Sequence, residues 1–281
     1  MLKNTFCHVP GIGTVRESRL WSSGVYCWDD FIRSAATPFM PEGLKSARRY
    51  VEESIRSLEN KDHQYFRNLL PSSQVWRLFP EFRDSVAYLD IETTGLSGLD
   101  NHITTISLYD GNSVSYYIYD DNLDDFKNDI NKYKVLITYN GKCFDIPFIE
   151  SSLKIKIDHA HVDLRYLLKN IGYTGGLKGC ERQMGIDRKD LRDVDGYCAV
   201  LLWQDYVKHN NTKALETLLA YNILDTVNLE TLMVIAYNAI LKNTPFSETH
   251  ALPLPVTPPL PFQPDRQAIE RVTFPFGQEK S

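Results

Sequence analysis

The ten residues AYLDIETTGL, 87–96, combine a core strand with a pair of acids. The apolar run from Val86 to Leu89 is typical of a strand buried on both faces. Asp90 and Glu92 follow it, and alternate residues of a strand project to the same face, so their carboxylates are expected to lie side by side. Burying carboxylates at the end of a core strand is costly unless positive charge compensates them. This stretch therefore predicts a buried strand that places the carboxylates of Asp90 and Glu92 at a functional site.

Two further motifs place one acid after a strand and one in a helix. In TYNGKCFDIPF, Asp145 comes after a strand and the turn Asn140–Gly141. In AYNILDT, Tyr221 and Asp225 are one helical turn apart and share a face. Apolar residues surround both of them, which predicts that this helix packs on the sheet. The acids of the three motifs are therefore expected to converge.

The four acids have no matching basic cluster and should repel one another. Mg²⁺ and Mn²⁺ prefer carboxylate oxygens and complete their shells with water and phosphate oxygens. Two such ions ~4 Å apart stabilise the attacking and leaving oxygens of a phosphoryl displacement. We therefore expect Asp90, Glu92, Asp145 and Asp225 to bind two divalent metal ions, Mg²⁺ or Mn²⁺. The substrate predicted from this is a phosphodiester, with the Tyr221 hydroxyl positioning the attacking water.

Residues 85–242 alternate strand and helix signals. VAYLDIE, HITTISLYD and SVSYYIYD are short β-rich runs separated by Gly and Asn turns, which predicts an antiparallel meander. NLDDFKNDINKY is predicted to be a helix, KVLITYN a fourth strand, and HVDLRYLLKN a strand that runs into a helix. The fold class is therefore predicted to be α/β, a mixed sheet with three antiparallel strands and then strand–helix alternation, flanked by helices.

Two flanking regions differ from this domain in composition. Residues 1–84 are predicted to be mainly helical, with one helical pattern from residue 43 until Pro71. VPGIG, 9–13, resembles the hairpin of helix-hairpin-helix DNA-binding modules, but few residues precede it, so a tight turn is the default interpretation. Residues 243–281 contain eight of the fourteen prolines and are predicted to be an extended tail, with docking of a protein partner as the alternative.

Composition limits the class of protein. The 281 residues are 43% hydrophobic and carry a net charge of -5, which excludes a disordered chain and gives no basic footprint overall. The five cysteines are odd in number and none has CxxC spacing, which argues against a disulfide framework and a thiolate zinc site. The sequence shows no signal pattern and no run of 18 apolar residues, so we expect a cytoplasmic protein without a membrane partner.

The three motifs also carry a family resemblance. LDIETTGL, YNGKCFDIPF and YNILD resemble the motifs of the DnaQ-like 3′-5′ exonuclease superfamily, which has the ribonuclease-H-like fold. The Tyr-x-x-x-Asp spacing is similar to that of the tyrosine subtype, DEDDy. HVPGIG, WRLFPEFRD and HVDLRYLLKNIGYTGGLKGCERQMGIDR extend the likeness, over about residues 5–240, to the bacterial YprB-like group of ribonuclease-H-like proteins.

The resemblance implies a metal-dependent exonuclease. It makes Asp90 and Glu92 the acids of the first motif, Asp145 that of the second, Asp225 that of the third, and Tyr221 the water-positioning tyrosine. It supplies no substrate, and we expect a 3′-5′ exonuclease on the 3′ end of DNA or RNA, with single-stranded DNA favoured; the sequence does not decide between DNA and RNA. The alternatives are a structure-selective endonuclease on the same fold and a non-catalytic nucleic-acid-binding scaffold.

Five residues are candidates for substrate contacts: Thr93, Asn140, Phe144, Lys178 and Arg182. Asn140 either shapes its turn or reaches a phosphate, and Phe144 belongs either to the core or to a stacking surface for a terminal base. The basic residues of GGLKGCERQMGIDRKDLR, from Lys178 to Arg192, form either a solvated helix face or a stripe for the phosphate backbone.

Overall fold

The computed structural model describes residues 1–34, 42–95 and 101–273, with the backbone alone for residues 42–45. Leu96, at the end of the first motif, and residues 274–281 of the predicted tail lie outside the described residues. The strands are β1 (Val86–Thr93), β2 (Ile103–Tyr109), β3 (Val114–Ile118), β4 (Val135–Thr138) and β5 (Ala160–Asp163). The helices are α1 (Thr14–Ser22), α2 (Trp28–Ser34), α3 (Glu42–Glu59), α4 (His63–Leu69), α5 (Phe126–Asp129), α6 (Asp145–Leu153), α7 (Leu164–Asn170), α8 (Gly176–Gln183), α9 (Gly196–His209), α10 (Thr212–Leu241) and α11 (Arg266–Thr273). Short 3₁₀ turns connect several of them.

The five strands form one mixed sheet in the order β3-β2-β1-β4-β5. The first three strands pair antiparallel, and β4 and β5 run parallel to β1. This confirms the predicted α/β class and the predicted mixed sheet. The acid-bearing strand β1 is therefore the central strand, with a neighbour on each side.

Alternate residues of β1 enter two different hydrophobic cores. Tyr88 packs with the residues of α10, whereas Leu89 and Ile91 pack with Ile149 of α6 on the opposite face. Asp90 and Glu92 share the face of Tyr88 by strand periodicity. The pleat of β1 therefore directs Asp90 and Glu92 toward α10, while Leu89 and Ile91 pack into the core on the other face of the sheet.

Helix α10 is the main core helix of the molecule. It is apolar and long enough to suit a membrane span by composition, but 89% of its most apolar window is buried inside the protein. Its apolar residues cover β1 and β2 and also meet the N-terminal region, where Trp76 packs edge-on against Tyr237 at 5.5 Å between ring centroids. The N-terminal region therefore shares one continuous core with the sheet domain.

The helical pattern predicted from residue 43 to Pro71 is interrupted. Helix α3 ends at Glu59, Lys61 takes a left-handed conformation with φ 52°, and Asp62 caps α4 by accepting the N–H of Tyr65 at 3.1 Å. The predicted helix NLDDFKNDINKY is likewise shorter than expected, with a single α-turn, α5, between two 3₁₀ turns. Asp and Asn side chains compete for backbone hydrogen bonds, which favours such breaks.

The segment VPGIG forms a tight turn. Ile12 donates its N–H to the carbonyl of Val9 at 2.9 Å, and Gly11 has a φ of 83°. Helix α1 begins at Thr14, and the residues before the turn form only a three-residue 3₁₀ helix, Leu2–Asn4. The arrangement matches the default interpretation of this segment.

The prediction of an extended tail is wrong for part of residues 243–281. The chain from residue 251 to 260 has no regular secondary structure, and the side chain of Asn238 bonds both backbone groups of Leu252, at 2.8 and 2.9 Å. Helix α11 then begins immediately after the last proline of the cluster, capped by Asp265, with Ala268 buried against the body. The proline content averaged over the segment concealed the proline-free stretch RQAIERVT.

Candidate active site

The site is built on the end of β1. Asp90 lies opposite Ser107 of β2, Glu92 lies opposite Thr105, and the strand pairing shifts register immediately after Glu92. Both acidic side chains are partly exposed, while Ile91 between them is buried. The pleat therefore presents the two carboxylates on the face of the sheet that α10 covers.

Asp145 reaches the site from the turn after β4. Asn140 has a φ of 66°, and a Cβ at Gly141 would overlap the Thr138 hydroxyl, so this turn requires glycine. The turn brings Asp145 to the first position of α6, where its carboxylate accepts the N–H of Ile91 at 3.3 Å. One hydrogen bond thus joins the second motif to the first.

Asp163, at the end of β5, holds that turn in place. Its carboxylate accepts the backbone N–H groups of Asn140 at 2.8 Å and Lys142 at 3.1 Å, and also that of Arg165 at 3.0 Å, where it caps α7. The side chain is almost fully buried. Its contribution is to the shape of the loop that carries Asp145.

Helix α10 supplies Tyr221 and Asp225, as predicted, and also Asn222, which sequence reasoning missed. The Asn222 amide donates to Oδ2 of Asp90 at 2.7 Å and accepts the hydroxyl of Thr105 at 3.1 Å. Asn222 is fully buried. The signal for it was present, because a polar side chain in an otherwise apolar core helix needs a partner.

Three of the four predicted acids form a cluster. The carboxylates of Asp90, Glu92 and Asp225 offer oxygen atoms that all lie within 4.8 Å of one another, and this is the one such group among the described residues. Asp145 lies outside that group but close enough for its charge to act on Asp90 and Glu92. Residues 135 positions apart in sequence (225 - 90) are therefore brought together by the packing of α10 on β1.

The carboxylates raise the pKa values of one another. Burial, followed by repulsion from Asp145, Asp225 and Glu92, raises the pKa of Asp90 well above its usual value. Burial and repulsion from Asp225 and Asp145 do the same to the pKa of Glu92. Burial raises the pKa of Asp145 to about 7, although the backbone N–H groups it accepts limit the rise. The site therefore concentrates negative charge that its surroundings balance only in part.

Arg188 supplies part of the positive charge that compensates the acids. The expectation that the four acids have no basic partner is therefore wrong. The Arg188 guanidinium forms an ion pair with Asp225 and a second with Glu181, at 2.6 Å. Asn228 donates to the other oxygen of Glu181 at 2.8 Å. All of these side chains are buried. The chain Asn228–Glu181–Arg188–Asp225 therefore fixes one acid of the cluster.

Tyr221 lies above two cations and beside the acids. Lys178 Nζ is 4.9 Å and the Arg188 guanidinium carbon 5.4 Å from its ring centroid. Burial, then the charges of Asp225 and Glu92, raise the pKa of the Tyr221 phenol strongly. The hydroxyl therefore stays protonated at neutral pH, which suits a group that orients water and excludes one that abstracts a proton.

The candidate substrate contacts have different surroundings. Thr93 is buried and donates to the carbonyl of Gly95 at 2.8 Å, and Asn140 accepts from Arg165 at 2.5 Å. Phe144 is half-buried against Phe148. Lys178 is partly buried and donates to the carbonyl of Val194, whereas Arg182 is exposed. The structure assigns none of these five residues to a substrate.

The donor set fits hard divalent cations. Every candidate ligand atom is a carboxylate oxygen, which Mg²⁺ and Mn²⁺ prefer, and the raised pKa values of Asp90 and Glu92 reflect charge that a cation would compensate. The Arg188 ion pair occupies one oxygen of Asp225 and leaves the other. The residues present can therefore hold a metal ion at this position.

Comparisons with known proteins found one matching family model and a similar solved structure. A family model described as the RNase_H superfamily matches residues 87–237, more than half of the chain. Among solved structures, this chain is similar to the family B DNA polymerase from the hyperthermophilic archaeon Pyrobaculum calidifontis, with 15% identity and a TM-score of 0.42. The match covers 60% of this chain and 27% of the polymerase, so the chain spans about a quarter of its length. No curated protein matches the sequence.

Proposed function

The chain belongs to the RNase_H superfamily, and on that premise we propose that it is a metal-dependent 3′-5′ exonuclease. We propose further that it belongs to the tyrosine subtype and to the YprB-like group, and that its substrate is nucleic acid with single-stranded DNA favoured. The observation that carries the proposal is the convergence of Asp90, Glu92 and Asp225 within 4.8 Å, with Asp145 hydrogen-bonded to the same strand.

The four acids would hold two divalent ions, Mg²⁺ or Mn²⁺. When bound, such ions stabilise the charge on the attacking and leaving oxygens of an in-line displacement at phosphorus. Asn222 orients the Asp90 carboxylate through one oxygen, and the backbone N–H of Ile91 does the same for Asp145. The protein's contribution is therefore to fix ligand oxygens on a rigid sheet and helix.

Tyr221 would position the attacking water. It lies one turn before Asp225, its phenol is neutral, and its hydroxyl forms no hydrogen bond with another residue in the described parts of the chain. A neutral hydroxyl can accept from the water and donate to a phosphate oxygen without taking up a proton. This role matches the tyrosine subtype.

One observation favours the alternative of a non-catalytic nucleic-acid-binding scaffold. Arg188 already neutralises part of the charge of Asp225, so the fold tolerates this acid without a metal ion. The arrangement of Asp90, Glu92 and Asp145 has no comparable cation bonded to it in the described residues. The unbalanced charge on these three acids favours a bound metal ion, which the catalytic proposal requires and the scaffold does not.

The test uses 5′-labelled single-stranded DNA and RNA with Mn²⁺, Mg²⁺ or chelator, for the wild type and for Asp90→Asn. We expect a ladder that shortens from the 3′ end, requires metal and is lost in the variant. A covalently closed circular strand serves as the control, because an exonuclease leaves it intact. Cleavage of the circle would favour the endonuclease, and binding of strands without cleavage under either metal would favour the scaffold.

A further inference from the structure

A cavity of about 530 Å³ opens beside the site, between the N-terminal region and α7. Trp76 and Leu167 form part of an apolar floor, and Lys142, Tyr166 and Asn170 form part of a polar rim. We propose that this cavity is a subsite for a nucleotide of the substrate strand, upstream of the 3′-terminal nucleotide. The inference rests on the proposed function, since it deepens the assignment of a single-stranded substrate.

The cavity is continuous with the loop that carries Asp145. Lys142 lies in that loop, three residues before Asp145. Asp163 also lines the cavity and binds the backbone N–H groups of Asn140 and Lys142. The cavity wall therefore includes one residue of the loop that carries Asp145, and a strand that lies in the cavity contacts this loop.

The charges around the cavity fit a polyanion. Lys142 lines the cavity, and Arg165 and Lys169 are the sequence neighbours of the lining residues Tyr166 and Asn170. Lys142 and Lys169 form no ion pair with a residue in the ranges that the structure describes, and Arg165 donates to the neutral amide of Asn140. The acid at the cavity, Asp163, is buried and already accepts three backbone N–H groups. Positive charge is thus available at the rim of a net-acidic protein, which is what binding a phosphate backbone requires.

The aromatic at the rim fits a base. Tyr166 is 47% exposed, on a helix whose neighbouring Leu164, Leu167 and Leu168 are buried. Its hydroxyl lies 3.3 Å from the sulfur of Cys143, in the catalytic loop. An exposed aromatic ring stacks on any base regardless of sequence, and basic residues beside it follow the backbone. Together with the apolar floor, this describes a site for one nucleotide.

The test is fluorescence anisotropy with a 5′-fluorescein-labelled oligothymidylate of about twelve nucleotides. This length is within the usual site size of proteins that bind single strands. A chelator prevents cleavage during the titration. Tyr166→Ala should weaken binding by about 5- to 100-fold, the loss expected for one stacked base. Tyr166→Phe keeps the ring and should bind as the wild type does. Unchanged melting temperatures and circular dichroism spectra verify folding.

Tyr26→Ala is the matched control. Tyr26 is 46% exposed, close to the value for Tyr166, but it contacts Phe246, beyond the C-terminal end of α10. Its replacement should leave binding unchanged. Equal binding by Tyr166→Ala and Tyr26→Ala would overturn the subsite, as would a wild type that binds no strand. Failure of the exonuclease proposal is read separately, in the cleavage of labelled strands by the wild type.

Discussion

Two basic regions flank the acidic cluster, and they differ in what their charges already bind. In the first, residues 178–192, Lys178 donates to a carbonyl, Arg188 binds two buried acids and Arg192 pairs with Asp187 at 2.9 Å. In the second, which we call the α7 face, Lys142, Arg165 and Lys169 bind no carboxylate in the described residues. The buried cation of the first region, Arg188, therefore stabilises the fold, whereas the cations of the second region are available to a ligand.

This difference shows why a count of basic residues misleads. By sequence, residues 178–192 are the obvious phosphate stripe, because they hold five basic side chains in a short stretch. The α7 face draws its three from a loop and a helix that are separated in sequence. Folding pairs Arg188 of the denser cluster with two buried acids and Arg192 with an exposed one, whereas the sparser cluster has no ion pair in the described residues.

The largest effect is expected at Arg188. Arg188→Gln leaves Glu181 and Asp225 buried without their cation, and breaking a buried pair in this way costs about 3 to 5 kcal/mol. Urea denaturation in chelator measures the free energy of unfolding. Arg192→Gln is the matched control, since its ion pair is exposed, and it should not change stability measurably. Equal stabilities of the two variants would remove the distinction between buried and surface charges within this region.

The next effect concerns Tyr221, whose ring lies over Lys178 and Arg188 of the first region. Tyr221→Phe should slow cleavage by about 10- to 1000-fold if the hydroxyl orients the attacking water. The ring and its contacts remain, so stability should be preserved. Single-turnover cleavage of a labelled strand gives the rate. Full activity would remove the hydroxyl from the mechanism.

A smaller effect is expected in the pH dependence of stability. The pKa of Asp90 is raised in the folded, metal-free protein. In the unfolded chain, the pKa of an Asp is about 4. Between these two pKa values the folded state binds more protons than the unfolded state. The unfolding free energy therefore falls as pH rises through this window. Asp90→Asn lacks this penalty and should be more stable than wild type at pH 8 in chelator.

Urea denaturation of wild type and of Asp90→Asn at pH 5, 6, 7 and 8 measures their free energies of unfolding. The difference between the two free energies should become smaller toward acid pH. Asn at this position can still accept the amide of Asn222, so the packing is kept. A variant less stable than wild type at pH 8 would contradict the crowding of charge at the cluster.

The smallest effect tests the two basic regions directly. Lys169→Gln should reduce the slope of log binding constant against log salt concentration by ~0.7, the value for one phosphate contact to a single strand. Arg192→Gln makes the same change in net charge in the first region and should leave the slope as it is. Anisotropy titrations over a range of salt concentrations supply both slopes. The reverse result would assign the strand to residues 178–192.

Sequence reasoning reached the fold and the acids because both depend on local patterns. Alternating strand and helix signals predicted the mixed sheet, and the spacing within each motif identified Asp90, Glu92, Asp145 and Asp225. Arg188 was missed as their partner because 37 residues separate it from Asp225 and it lies among other basic residues. Helix α11 was missed because proline content was judged over a whole segment. The ion pair of Arg188 with Asp225 joins residues that are distant in sequence, and no local pattern records such a pair.

The central claim is that the acidic cluster is a divalent-metal site although Arg188 binds one of its acids. Isothermal titration of Mn²⁺ into chelator-treated, desalted wild type and Asp90→Asn at pH 8 tests it without requiring catalysis. The wild type should bind two ions per chain. The variant should bind them with an affinity at least about 10-fold weaker, or bind one ion fewer, since a carboxylate oxygen on the central strand is replaced by an amide group. Equal binding of Mn²⁺ by the two proteins, or none by the wild type, would contradict it.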